Sequence, residues 1–441
     1  MKHILYLIIL WPYFLWSQNN NDAKEQHKAL RQDRFQNIQA NTHPMAQWFP
    51  NAGLGLFVHL GISSVHGGMD ISWGMKANKP WEDGEMPPVE YWKLADSWNP
   101  KKFHPDKWVK AAAKAGFKYI VFTTKHHDGY TMWPSEYSDF GVKQKLGGRD
   151  LVKEFTDACH KYGVKVGLYF SPPDWRFDAD YMNFGYNGKY NKFHQKVSNI
   201  PPMPEEHKQK RTAMIQNQVK ELLTNYGRID LIWFDGGQGE IPNDEVRRLQ
   251  PGIVINRRNK YPGDYGDTEG VLPQYRFTGW FETCDPCWPS RRWAYSHSDR
   301  MDSGDDVIEK LVLLRAWGGN LLANVGPDSE GNIPQEALEA WKVIGKWMKH
   351  SGESIYGTKG GNYPEKANQP VTIKGNAMYV HAFPDFQSTI KIQDVNQTPV
   401  KAILLRTGEE ICFTYKSSTI ELSIPGKMRS RQVDTVKIIL K

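Results

Sequence analysis

A chain of 441 residues is longer than one hydrophobic core usually supports, so two domains are expected. The formal charge of +7 and the isoelectric point near 8.9 would suit a polyanion, yet the basic residues are scattered with no arm or tract, which disfavours nucleic acid as a partner. The 17 Trp and 20 Tyr exceed what a core requires and favour a ligand with faces for rings to stack on, such as a carbohydrate.

In chain order, Met1-Lys2-His3 precedes an apolar run over residues 4–16 that ends at Ser17-Gln18, the layout of a cleaved secretory signal over residues 1–17, with an uncleaved anchor as the alternative. The run is shorter than the roughly 20 residues a membrane helix needs, and no second one follows. The mature chain is therefore expected to be secreted or periplasmic, without a membrane span. Polar residues 19–40 read as a loose leader or a first helix. A strand is predicted over 53–61, a helix over 105–115 closed by Gly116, and a strand from Tyr119. A helix over 149–162 closed by Gly163 leads to a strand from Lys165. A long helix over 204–226 closed by Gly227 leads to a strand ending at Asp235. Strands over 252–256, 278–283 and 320–325 and helices over 305–317 and 334–350 complete the alternation.

Strands alternating with helices specify a parallel sheet. Seven candidates over this length predict a (β/α)8-like (TIM) barrel over residues 18–356 with one strand unrecognised. No glycine-rich phosphate loop or dinucleotide fingerprint follows a strand, which removes the usual reason to prefer a doubly wound sheet. Beyond residue 357 the pattern becomes short and alternating, over 371–374, 377–382, 389–392, 401–406, 410–415, 419–424 and 433–440. That predicts a C-terminal all-β sandwich over 357–441.

The run Ile229-Asp230-Leu231-Ile232-Trp233-Phe234-Asp235-Gly236-Gly237 ends an apolar strand in one carboxylate, which places Asp235 at the carboxyl edge where barrel enzymes keep their chemistry. Asp-Gly alone is also a common turn. Retaining glycoside cleavage needs a second carboxyl group about 5 Å away, and the acids in Asp264-Tyr265-Gly266-Asp267-Thr268-Glu269 and Trp280-Phe281-Glu282-Thr283 are available. Lys125-His126-His127-Asp128-Gly129 could hold a metal, but neighbouring strand side chains point to opposite faces, so no metal is expected. Cys284 and Cys287 have C-x-x-C spacing without the second pair a zinc site needs, which leaves a local disulfide or two unpaired thiols.

Several motifs together resemble the α-L-fucosidases of glycoside hydrolase family 29. They are Trp48-Phe49, Gly53-Leu54-Gly55-Leu56-Phe57-Val58-His59, Phe103-His104-Pro105-Asp106-Lys107-Trp108, the two-histidine motif, Arg149-Asp150-Leu151-Val152, Gly167-Leu168-Tyr169-Phe170-Ser171, Trp233-Phe234-Asp235-Gly236, Leu321-Leu322-Ala323-Asn324-Val325-Gly326-Pro327 and Ile355-Tyr356-Gly357. The resemblance implies retaining exo-hydrolysis of terminal α-L-fucose from an oligosaccharide or polysaccharide, without a cofactor. It makes Asp235 the nucleophile and His59, Trp73, His126, His127, Tyr169, Arg258 and Trp293 sugar-binding residues. Glu269 aligns as the acid/base, with Glu282 the runner-up and Asp267 next. The chain departs from the family at Leu60, where tryptophan is common, at Ser72, where many members have glutamate, and at Arg257, where aspartate is usual. Two other readings stand beside this one: an exo-hydrolase for a related sugar such as α-L-galactose, and a non-catalytic carbohydrate-binding protein on the same scaffold.

Overall fold

A computed structural model describes residues 38–80, 84–273 and 277–441. The predicted leader over 1–17 lies outside the described residues. Eight parallel strands form the first sheet: β1 (Leu54–Val58), β2 (Tyr119–Lys125), β3 (Lys165–Phe170), β4 (Leu231–Phe234), β5 (Val254–Ile255), β6 (Tyr265–Glu269), β7 (Trp280–Trp288) and β8 (Asn320–Val325). Their order is β5-β4-β3-β2-β1-β8-β7-β6, and a parallel bridge between Asn256 and Tyr265 joins the two ends into a (β/α)8-like barrel.

Helices α1 (Pro105–Ala115), α2 (Leu151–Tyr162), α3 (Glu205–Thr224), α4 (Asn243–Leu249), α5 (Gly304–Ala316) and α6 (Gln335–Ser351) accompany the strands. Among the described residues no helix follows β5 or β6. The strand missing from the sequence reading is β6. Its Tyr-Gly-Asp-Thr-Glu has no apolar run, because Tyr265 faces the barrel interior and Asp267 is neutralised by arginines. β7 is also longer than expected, since its polar half continues past Thr283.

Alternation along the strands divides two cores. Leu54, Leu56 and Val58 pack outward beneath the helices, whereas Phe57, Tyr119, Tyr169, Trp233 and Tyr265 fill the barrel interior. Gly55 and Gly167 make room for that filling: a Cβ on Gly55 would lie 2.2 Å from the Tyr119 ring. The short helix Phe49–Ala52 plugs the amino end, with Phe49 4.4 Å from Tyr265 between ring centroids. The carboxyl end stays open.

After α6 the chain enters antiparallel sheets. One holds β9 (Lys359–Gly360), β10 (Val371–Lys374), β11 (Ala377–Ala382), β13 (Pro399–Leu404) and β16 (Asp434–Leu440); the other holds β12 (Ile390–Ile392), β14 (Phe413–Lys416) and β15 (Thr419–Leu422). They enclose a separate core that includes Val380, Leu404, Ile420 and Ile438. The junction with the barrel is bonded: Trp347 Nε1 donates to Val433 O (2.8 Å), Thr372 Oγ1 to Ser354 O (2.7 Å) and Gln432 Nε2 to Asp305 Oδ1 (2.6 Å).

Candidate active site

The carboxyl ends of the strands converge on an open cleft lined by Phe57, His59, Ile71, Trp73, His126, Tyr169, Trp233, Asp235, Arg258, Glu269, Cys284 and Trp293. Asp235 follows β4 directly, its N–H tied to Phe170 O at 3.1 Å. Tyr169 OH donates to Asp235 Oδ2 at 2.9 Å, and Arg258 Nη1 donates to Oδ1 at 3.3 Å. Burial, then the Asp235 charge, pushes the Tyr169 phenol far above its ordinary range, so it remains a donor.

Glu269 ends β6 and accepts from the same Arg258 Nη1 at 2.9 Å. One nitrogen thus bridges both carboxyl groups. Glu282 lies elsewhere. It is fully buried inside the barrel, where Tyr119 OH, Trp233 Nε1 and Tyr265 OH donate to it. Burial pushes its carboxyl up to about 7 against the pull of those donors. Asp267 is also committed, with Arg257 Nε on Oδ1 at 2.9 Å and Arg258 Nη2 on Oδ2 at 2.6 Å. The Arg257 departure therefore strengthens the clamp beneath Arg258.

Three histidines surround Asp235. His59 follows β1, and its Nδ1 lies 2.6 Å from Asn324 Oδ1, an amide oriented by its donation to Trp293 O at 2.9 Å. His126 Nδ1 contacts Ser72 Oγ at 2.6 Å, and Ser72 Oγ also accepts the Asp128 N–H at 2.9 Å. His127 Nδ1 bonds Ser171 Oγ; that hydroxyl donates to Pro173 O at 2.8 Å, so the ring must supply the Nδ1 proton. The neutral His127 ring then turns the Nε2 lone pair toward Asp235 Oδ2, 3.5 Å away. Burial lowers all three imidazoles, His59 to about 4.

One expectation fails here. β2 ends at Lys125, and the following turn, with Gly129 N–H on His126 O at 3.1 Å, brings both His126 and His127 to the same side, their ring centroids 4.3 Å apart. Strand alternation therefore does not argue against a metal, and ligand atoms of His126, His127 and Asp235 lie within 4.8 Å of one another. The donor set itself resists a cation, because the Arg258 guanidinium already occupies Asp235.

Trp73 and Trp293 complete the walls. Trp293 lies 5.2 Å from His59 between centroids, and its N–H donates to Asp70 Oδ1 at 2.8 Å. Trp73 stands edge-on to Trp175 at 5.5 Å, and Trp175 stacks on His127 at 4.9 Å. Phe57, Ile71, Trp233 and Cys284 also line the cleft although the sequence reading did not assign them to it. Inward alternation with Tyr169 could have revealed Phe57 and Trp233; Ile71, a β-branched residue at φ 39°, has no such signal. Cys284 and Cys287 are unpaired thiols, Cys284 facing the barrel interior and Cys287 packing in the outer core.

The model of the family described as alpha-L-fucosidase matches residues 19–353. The chain belongs to the α-L-fucosidase family. Tissue α-L-fucosidase of Mus musculus is 29% identical over 374 residues, 77% of this chain and 78% of the relative. The α-L-fucosidase of Dictyostelium discoideum is 26% identical over 435 residues, covering 88% and 90%. Among solved structures, α-L-fucosidase isoenzyme 1 from Paenibacillus thiaminolyticus superposes with a TM-score of 0.78 at 29% identity, over 90% of this chain and 99% of that one. A family 29 α-L-fucosidase from Bacteroides thetaiotaomicron, trapped as a covalent intermediate with 2-fluoro-fucosyl fluoride, gives 0.77 at 27% identity, over 92% and 98%. The protein is thus a glycoside hydrolase of the α-L-fucosidase family, and its cleft lies at the open end of a fucosidase barrel.

Proposed function

We propose that the protein removes terminal α-L-fucose from glycans with retention, Asp235 attacking the anomeric carbon and Glu269 serving as acid/base. The observation that carries this reading is the single Arg258 nitrogen on both carboxylates, a spacing that suits the roughly 5 Å of retaining enzymes better than the wider gap of inverting ones. In the first step Asp235 Oδ bonds to C1 as the glycosidic bond breaks, and Glu269 gives its proton to the departing oxygen. In the second, Glu269 takes a proton from water, whose oxygen displaces Asp235. Protonated Glu269 can accept from Arg258 through Oε2 while the O–H on its other oxygen faces the leaving group. Glu269 is 46% exposed and has room to turn.

Neutral His59, His126 and His127 offer ring nitrogens to sugar hydroxyls, while Trp293 and Phe57 supply an apolar contact for the 6-methyl group. The leader over 1–17 is removed on export to the periplasm or the exterior, leaving a catalytic barrel over 18–356 and a sandwich over 357–441. Hydrolysis of aryl α-L-fucoside and α-L-galactoside, followed by NMR of the first-formed sugar, tests the reading. Preferential release of α-L-fucose supports it; β-L-fucose as first product, or no turnover, overturns it.

A further inference from the structure

The loops after β1 and β3 join into one wall beside Trp73. Ala77 N–H donates to Phe184 O at 2.8 Å, Tyr186 N–H to Ala77 O at 2.9 Å, and His194 Nε2 lies 3.0 Å from Met75 O. Residues 71–80 and 182–204 contain no Asp or Glu but carry Lys76, Lys79, Lys189, Lys192 and Lys196. After the first loop, Glu82 and Asp83 lie outside the described residues, and Glu85 accepts the Asn78 N–H at 3.0 Å. Folding thus gathers lysines that are scattered in the sequence.

Lys76 is the most telling of them. Its ammonium donates to Asn183 O at 2.7 Å and sits 4.8 Å from the Trp175 ring centre and 5.8 Å from that of Phe184, with no carboxylate partner among the described residues. Burial lowers it to about 8, the mark of a cation drawn from water without a counter-charge. Through Trp175, which stacks on His127, it stands one ring away from the site. Lys192 pairs with Asp180 at 2.7 Å, whereas Lys189 donates to Ser198 O and Asn199 Oδ1, both uncharged, and Lys196 is exposed. Tyr186 and Phe193 are each 51% exposed on the same segment. Rings for pyranose faces and ammonium groups for anionic substituents are the two contacts an acidic glycan requires.

We propose that this wall, with Lys76, Lys189, Lys196, Tyr186 and Phe193, is an aglycone surface for an acidic glycan whose sulfate or carboxylate group the ammonium groups hold. The inference rests on the fucosidase reading and adds the chemical class of the leaving group. Its test uses the full chain and three disaccharides: fucose linked to a neutral hexose, to the same hexose carrying a sulfate ester, and to a hexuronic acid. At low ionic strength kcat/KM on an acidic substrate should exceed that on the neutral one by about five- to tenfold. Salt near 1 M, where the screening length is about 3 Å, should remove the advantage. The combined variant Lys76→Gln, Lys189→Gln and Lys196→Gln should bring the ratio near one, whereas Lys391→Gln in the sandwich should keep it. If the combined variant does not fold, the salt dependence of the unaltered protein decides. A gain on the sulfated substrate assigns a sulfate ester, a gain on the uronide assigns a carboxylate, and either supports the inference. Equal kcat/KM on all three overturns it while leaving the fucosidase reading intact; no turnover of any fucoside overturns that reading first.

Discussion

His59, His126 and His127 each spend Nδ1 on a neighbouring side chain, Asn324, Ser72 or Ser171, which fixes the ring and leaves Nε2 for a ligand. None of these partners announces itself in the sequence, because each acts through a tertiary contact; Ser72, a departure from the family, becomes intelligible only as the support of His126. The direction of the pKa shifts sets a pH expectation. An exposed imidazole protonates near 6.5, whereas burial lowers all three rings, His126 well below that and His59 to about 4. The folded state therefore resists proton uptake as pH falls through the usual histidine range, and KM for an aryl fucoside should stay flat between pH 7 and about 5.5. A KM that rises with an apparent pKa near 6.5 would contradict neutral-imidazole recognition. The two glutamates should separate just as cleanly. Glu269→Ala should slow natural oligosaccharides strongly, spare glycosylation by an activated aryl fucoside, and yield β-fucosyl azide when azide is added. Glu282→Ala should instead lose activity on every substrate and lower the melting temperature, since three buried donors lose their acceptor at a cost on the order of 1–3 kcal/mol each. Azide product from Glu282→Ala alone would reverse the assignment.

At the scale of elements, what positions the site is the filling of the barrel. Tyr119 crosses above Gly55 to reach Glu282, Glu282 holds the Trp233 indole, and Trp233 supports Tyr169 by stacking at 5.6 Å and Arg258 by a cation–π contact at 4.5 Å. Gly55→Ala should break this chain at its start: the added methyl group meets a ring that cannot move without abandoning its hydrogen bond. A destabilisation of about 1–3 kcal/mol by denaturant unfolding is expected, with reduced kcat. Unchanged stability would show that Tyr119 is free to shift. Most of this layer was legible in the sequence. Helix closures at Gly116 and Gly163 and the strands ending at Phe234, one residue before Asp235, and at Val325 fell where apolar runs and glycines put them, because local propensity and burial agree there. β6 was not legible, since its acids read as loop until Arg257 and Arg258 neutralise one of them. The shared facing of His126 and His127 was missed for a similar reason: it comes from a turn that follows the strand, not from the strand's own alternation.

For the whole molecule, the barrel and the sandwich fold against each other, and their bonds predict the effect of separating them. Truncation at Gly357 would leave Trp347 Nε1 without Val433 O and buried Arg315 without Thr358 O, and would expose apolar surface around α6. The truncated chain should aggregate or melt lower, while any folded fraction keeps its preference for fucose; a well-behaved truncation that loses binding to a polymeric glycan but still cleaves a small fucoside would reveal a binding role in the sandwich. No described helix is long and apolar enough to cross a membrane. Covalent catalysis by Asp235 can be read from intact-mass and peptide mapping after incubation with 2-fluoro-fucosyl fluoride. One 2-fluoro-fucosyl adduct per chain is expected, carried by the peptide containing Asp235 and absent from Asp235→Asn, which should remain folded but inactive. An adduct on another residue, or full turnover by the Asp235→Asn variant, would contradict it.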